Sequence, residues 1–190
     1  MLSVTTRFTE ALLGEPGTAV YARKLGLIAL QQSTYEEATA RFTEAFPLHE
    51  ELGDTVGKAD SLCMLGVIAL EQSNYEEATA RFSETLSLYE EVGEKGGKAD
   101  SSLHLGVVAL EQSEYEDETA KFTKAIPLYE EVGDRGKKAH CIRNLGVIAL
   151  EQSKFEEPTA KFTEALSLYD EVGDMAGEAD CQRMLGSIAL

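Results

Sequence analysis

Apolar and small residues return along this chain with helical spacing. Leu62, Leu65, Gly66, Ala69 and Leu70 fall at i, i+3, i+4, i+7 and i+8, which places them on one face of a helix. Tyr75, Ala78, Phe82, Leu86, Tyr89 and Val92 draw a second stripe. The Ser73-Asn74-Tyr75-Glu76 segment that opens it has the form of a Ser-x-x-Glu capping box, which satisfies free N–H groups at a helix start. The same box opens at Ser33, Ser113 and Ser153. Each second helix is expected to stop at a glycine, Gly53, Gly93, Gly133 or Gly173, where a left-handed terminal residue is cheapest without a Cβ. No useful length of chain alternates with period two, so the pattern predicts an all-α fold.

The pair of stripes is one unit of an internal repeat. LGLIALQQSTYEEATARF, LGVIALEQSNYEEATARF, LGVVALEQSEYEDETAKF and LGVIALEQSKFEEPTAKF begin at Leu25, Leu65, Leu105 and Leu145. A further LGSIAL begins at Leu185, and TRFTEAL near the N-terminus matches the second half of a unit. The expected organisation is a single array: a partial repeat over 1–18, full repeats over 19–58, 59–98, 99–138 and 139–178, and a partial repeat over 179–190.

Gly26, Gly66, Gly106, Gly146 and Gly186 sit inside first helices, where glycine costs about 1 kcal/mol relative to alanine. Close helix approach offsets that cost. Gly66 is expected to make room for the paired helix at Ala78, with Phe82 filling the space beside it.

The succession Leu65-Gly66, Tyr75, Ala78 and Phe82, repeated over nearly the whole chain, resembles the tetratricopeptide repeat. The usual unit has about 34 residues. The 40-residue spacing here, with a longer second helix and a Gly-Asp-x-x-Gly loop, is similar to the arrays of kinesin light chains and of nucleotide-switch regulatory ATPases. The bulky aromatic common early in the first helix is replaced by Ala22, Leu62, Ser102 and Ile142. The resemblance implies a right-handed α-solenoid of antiparallel helix hairpins that holds a protein partner.

Charge and composition narrow the partner. With 43% hydrophobic residues over 190 positions the chain can build a core. Its formal charge of −17 repels polyanions, so nucleic acid and anionic membranes are excluded as expected partners, and a basic protein segment is the better electrostatic match. No apolar run approaches the roughly 18 residues of a membrane span, and Met1 to Thr6 lacks a signal-peptide pattern. A cytoplasmic protein is expected. Cys63, Cys141 and Cys181 fit a reducing compartment. Cys141 and Cys181 occupy equivalent sites, but stacked helices lie about 8 to 10 Å apart and a disulfide needs Cα atoms within about 7 Å, so free thiols are expected.

Little in the chain points to chemistry. His49, His104 and His140 have no metal-ligand spacing. Glu76 with Glu77 and Glu90 with Glu91 are neighbours that point about 100° apart on a helix, which suits a solvated face better than an acid–base pair. Gly96-Gly97-Lys98 fails as a phosphate loop, because Val92 stands at the first glycine position and Ala99 follows the lysine. Capping explains the recurrent serines. The expectation is recognition without catalysis, cofactor or metal.

By resemblance, the first helices line a concave groove. It is offered Asp60, Asp100, His140 and Asp180 in one column, Arg23, Cys63, Leu103, Arg143 and Arg183 in a second, and Val67, Val107 and Val147 in a third. The candidate partner-binding residues are Arg23, Asp60, Asp100, His140, Arg143, Asn144 and Arg183. Asn144, just before Leu-Gly, resembles the groove asparagine that grips peptide backbone in related arrays, and Arg143 could fork onto a carboxylate. Lys24, Met64, His104 and Met184 occupy the positions equivalent to Asn144. The Lys/Asn constellation that clamps chaperone tails is absent.

Some units break the packing pattern. The small column reads Ala38, Ala78, Glu118 and Pro158. Glu118 brings a carboxylate toward an apolar interface, and Pro158 falls near the fifth residue of its helix, where a proline costs about 3 kcal/mol. Pro47 and Pro127 fall mid-helix, where kinks are expected. Half units at both ends predict apolar faces without polar capping helices, and hence either a piece of a longer array or a self-associating one. The leading expectation is a scaffold or adaptor that binds a peptide or helix of a partner in its groove. One alternative is a fragment of the sensor or regulatory arm of a multidomain NTPase or transcriptional regulator. Another is a degenerate gene fragment without retained function.

Overall fold

The computed structural model describes residues 16–112, 115–152 and 157–189, without the side chains of Pro16 and of 115–118. Among these residues there are nine α-helices and no strand. They are α1 (Pro16–Gln31), α2 (Tyr35–Glu51), α3 (Thr55–Glu71), α4 (Tyr75–Val92), α5 (Lys95–Glu111), α6 (Tyr115–Val132), α7 (Arg135–Glu151), α8 (Glu157–Val172) and α9 (Met175–Ile188). Odd-numbered helices are first helices of the repeat and even-numbered ones are second helices. The chain divides into two compact units, Met1–Gly97 and Lys98–Leu190. In unit 1, α2 packs on both α1 and α3, and in unit 2, α8 packs on both α7 and α9. A second helix therefore closes its own hairpin and also carries the next one.

The recurrent glycine has a physical cause. A Cβ built on Gly66 would lie 2.8 Å from the Phe82 ring, and the same contact recurs at 2.9 Å for Gly26 with Phe42 and for Gly106 with Phe122, and at 3.0 Å for Gly146 with Phe162. The nearest neighbour of each of these glycines is thus the phenylalanine ring. All four rings are fully buried. In unit 2 the core runs from Ala99 and Leu103 through Phe122, Ala125 and Tyr129 to Cys141 and Ile148. Cys63, Cys141 and Cys181 are buried free thiols, and burial pushes the Cys141 thiol up to about 12.

Helix ends follow the sequence in part. Gly53, Gly93, Gly133 and Gly173 all take positive φ, from 66° to 76°, as the left-handed stop requires. Ser33 and Ser73 do not cap. Ser33 and Ser73 adopt φ of 57° and 58°, and the residue after each is the cap. Asn74 Oδ1 accepts from Glu77 N–H at 3.4 Å, while Thr34 Oγ1 donates back to the Ala29 carbonyl at 2.9 Å. First helices are capped by the acid of the Gly-Asp loop. Asp54 accepts from Gly57 N–H and Asp134 from Lys137 N–H, both at 2.9 Å, and Asp174 accepts from Gly177 N–H at 3.1 Å. A carboxylate there also suits the positive end of the helix dipole.

Pro47 and Pro127 lie inside helices that run on to Glu51 and Val132. Pro158 is buried within α8. The Glu118 side chain, Ser113, Ser153 and the TRFTEAL segment lie outside the described residues. No helix among the described residues is long and apolar enough to cross a membrane.

Candidate functional site

The candidate residues lie on first helices, and most are engaged with neighbouring repeats. In unit 1, Asp60 of α3 joins two elements. Arg23 of α1 donates to it from Nη1 at 2.5 Å, and the Tyr89 hydroxyl of α4 donates to its other oxygen at 2.5 Å. Burial, followed by the bond to Asp60, raises the Tyr89 pKa, which keeps that hydroxyl protonated as the donor. Arg23 and Asp60 are each about one-third exposed, so water screens the pair and its net worth is at most about 1 kcal/mol.

Unit 2 repeats the theme with different residues. Asp100 of α5 accepts from the Tyr129 hydroxyl at 2.7 Å and from Lys137 Nζ at 2.7 and 2.9 Å. The arginine column holds Cys63 one repeat earlier, so Lys137 of α7 supplies the cation that Arg23 supplies in unit 1. Lys137 occupies a position that is glycine elsewhere. A Cβ on Gly97 would meet the Tyr89 ring at 2.5 Å, whereas the Lys137 ammonium reaches 5.9 Å from the centroid of the Tyr129 ring. The spacing of arginines and aspartates gave no sign of this substitution. The Gly-to-Lys change beside a conserved-spacing tyrosine was the available signal.

The remaining candidates gather on α7 and α9. Arg143 Nε pairs with Asp180, and Arg183 Nη2 donates to the other oxygen of Asp180 at 2.6 Å. Burial pushes the Asp180 carboxyl up, but hydrogen bonds from Arg183 and Arg143 bring it below the usual range. His140 stands where Asp60 and Asp100 stand in their repeats. Burial, then the Arg143 charge, lowers its pKa and favours the neutral ring. Tyr169, opposite His140, has no carboxylate at the place where Tyr89 and Tyr129 find one, and its pKa is raised to about 12, mainly by burial.

Asn144 differs from all of these. Its side chain is only 3% exposed, and its Oδ1 accepts from Arg143 Nη1 at 2.9 Å. That bond fixes which way the amide faces, and Nδ2 then has no hydrogen-bond partner. A buried amide donor left unpaired costs about 1–3 kcal/mol. Other buried orphan nitrogens are Nε of Arg23 and Arg41 and Nε2 of His49, each on a side chain that satisfies another nitrogen. The structure therefore brings Arg143, Asn144, Asp180 and Arg183 into one cluster, pairs Arg23 with Asp60 elsewhere, and places Asp100 with Lys137. Among the described residues no group of three or more metal-ligating side chains assembles.

Stacked hairpins with such a surface define a helical-repeat module of the protein-interaction class. The comparisons place it further. The tetratricopeptide repeat family profile matches residues 17–91 and 58–131, together more than half of the chain, and the chain belongs to that family. No curated protein sequence matches it. Solved structures share the fold at low identity. RapI in its apo form superposes with a TM-score of 0.85 at 16% identity, covering 96% of this chain and 68% of that one. Aspartyl phosphate phosphatase F from Bacillus subtilis gives 0.83 at 16% identity, over 87% of this chain and 44% of that one. A signal transduction ATPase with numerous domains and a tetratricopeptide repeat sensor, from Pyrococcus horikoshii, gives 0.78 at 18% identity, over 88% of this chain and 26% of that one. This chain thus spans under half of the phosphatase and about a quarter of the ATPase.

Proposed function

We propose that the chain is a scaffold or adaptor whose first-helix surface binds a peptide or helix of a partner protein, with Arg143 and Asn144 at the contact in unit 2. The observation that carries this reading is the Asn144 amide, buried, oriented by Arg143 and left with unused donors. A backbone carbonyl entering beside Arg143 supplies the acceptor that Nδ2 lacks. A partner carboxylate can fork onto Arg183, which is 67% exposed and shares Asp180 with Arg143. Arg23, Asp60, Asp100 and His140 shape the flanks of this surface, and their work in joining repeats makes them secondary contacts. Recognition of this kind needs no reactive group, and an intracellular setting suits the buried thiols.

The test is selection from a displayed random-peptide library on the purified chain and on Arg143→Glu with Asn144→Ala. Peptides enriched on the parent and lost on the double variant support the reading. The same peptides held equally by both overturn it.

A second reading is favoured by the likeness to the ATPase that carries a tetratricopeptide repeat sensor. Here the chain is the sensor part of a multidomain regulator. The full transcript decides it: an in-frame nucleotide-binding domain supports the reading, and a transcript encoding only repeats contradicts it.

A further inference from the structure

Unit 2 carries a cleft away from the candidate residues. It encloses about 690 Å³ and runs along α8, lined by Thr159, Thr163, Glu164 and Leu168 of that helix and by Lys138 of α7. Lys138 and Leu168 also line a second hollow of about 370 Å³, whose other walls include Glu130, Arg135 and Glu171. Both volumes lie within the range of ligand sites, roughly 300–1,000 Å³. From Thr159 to Leu168 the helix rises about 14 Å at about 1.5 Å per residue, which matches an extended segment of about four residues at roughly 3.3 Å each.

Unit 1 shows what the lysine of such a cleft takes against it. There Lys58, the counterpart of Lys138, pairs with Glu50 at 2.6 Å and holds its ammonium 5.0 Å over the centroid of the Phe46 ring. Lys138 keeps the ion pair, with Glu130 at 2.6 Å, but Ile126 stands where Phe46 does and packs against the core. The quadrupole of an aromatic ring draws an ammonium to its face, and at this place unit 2 supplies an aliphatic side chain instead. Charge completes the description. Glu130 matches Lys138 and Glu171 matches Arg135, which leaves the exposed Glu164 as the unmatched charge of the lining. Thr163 Oγ1 donates to the Thr159 carbonyl at 2.7 Å, so it keeps a lone pair to accept from an incoming N–H.

We propose that this cleft docks an extended segment of a partner protein that carries an aromatic side chain beside a lysine or arginine. The ring takes the place against Lys138 that Phe46 takes against Lys58, and the partner's cation meets Glu164. The aromatic requirement comes from the ring that unit 1 provides and unit 2 lacks, and the basic requirement from complementary charge. The cleft shares no residue with the contact at Arg143 and Asn144, so this docking stands independently of the peptide reading above.

Titration of the isotopically labelled full chain with capped tetrapeptides, followed by two-dimensional NMR, tests it. The probe is Ala-Arg-Phe-Ala, with Ala-Arg-Leu-Ala and Ala-Glu-Phe-Ala as controls. The probe is expected to shift the Thr159, Thr163 and Leu168 signals to saturation, and each control to bind at least fivefold more weakly. Ile126→Phe gives unit 2 the residue that unit 1 carries at Phe46, and it should weaken the probe at least tenfold while the melting temperature holds. Glu164→Lys changes only an exposed position of α8, so it serves even where the larger ring disturbs the core. It should reverse the preference between the arginine and glutamate peptides. Absence of a saturable shift at these signals, equal affinity for the phenylalanine and leucine peptides, or binding indifferent to Glu164→Lys overturns the proposal. Phenylalaninamide held as tightly as the probe would make the cleft a small-molecule pocket and overturn it too.

Discussion

The two units fill the column just before each Leu-Gly pair differently. Unit 1 places there Lys24, which is exposed, and Met64, which is half-buried, while unit 2 places the half-buried imidazole of His104, the buried amide of Asn144, and the half-buried Met184. Helix stacking around the column is otherwise alike, with a glycine under a phenylalanine ring in both units. An apolar side chain therefore suffices at this position for the fold. The polar groups of unit 2 are extra to packing, and Nδ2 of Asn144 has no hydrogen-bond partner.

The largest effect should come from breaking what the units share. Gly66→Ala in unit 1 and Gly106→Ala in unit 2 each drive a methyl into a buried ring, from 2.8 and 2.9 Å respectively. Overpacking of this kind costs about 1–3 kcal/mol. Denaturant unfolding should show both variants destabilised by similar amounts, and stabilisation by either would remove the glycine–phenylalanine contact from the account.

Acid should then separate the units. Burial lowers His104 to about 4, against an ordinary value of 6.5. The unfolded chain takes up that proton first, so the contribution of the neutral ring is full above about pH 6.5 and is lost as pH falls toward about 4. Asp54 and Asp180 are lowered and lose their contributions further down, below 3.8. His104→Met copies the residue of unit 1. Thermal melts between neutral pH and pH 5 should show a smaller decline for this variant than for the parent, and parallel declines would contradict the assignment.

Much of this was legible beforehand, for a reason that particular residues make plain. A repeat written four times over averages out local noise, so the helices and the left-handed glycines followed from spacing, while the module class came from the resemblance that the repeated motif carries. The errors fell where a side chain's direction mattered. Gly66 was read as room for the paired helix at Ala78 with Phe82 beside it, and the ring proves the nearest neighbour, because spacing reveals that something comes close but not which atom. Ser73 was read as a cap, yet a serine one residue too early takes the left-handed turn and hands capping to Asn74. The candidate column of Asp60 and Asp100 was legible as a column. Its engagement with Tyr89, Tyr129 and Lys137 was not, because those partners come from residues about 29 and 37 positions away across a packing interface.

The smallest effect concerns the last loop. Lys58 reaches Glu50 at 2.6 Å in unit 1, and Lys138 reaches Glu130 at 2.6 Å in unit 2, but the equivalent of these lysines before α9's Asp180 is Glu178, with Asp170 at the acid's position. Glu178→Lys should restore the pair and raise stability by about 0.2–1 kcal/mol at low salt, shrinking as salt is added. Thermal melts at two ionic strengths check the sign, and a loss of stability at low salt would contradict it.

The most direct test of the whole reading is Asn144→Met, which gives unit 2 the residue that Met64 and Met184 already provide, measured for both thermal stability and binding of a library-selected peptide. The account predicts an unchanged or higher melting temperature together with at least a tenfold loss of peptide affinity. A lower melting temperature with affinity intact would make Asn144 a packing residue and contradict the account.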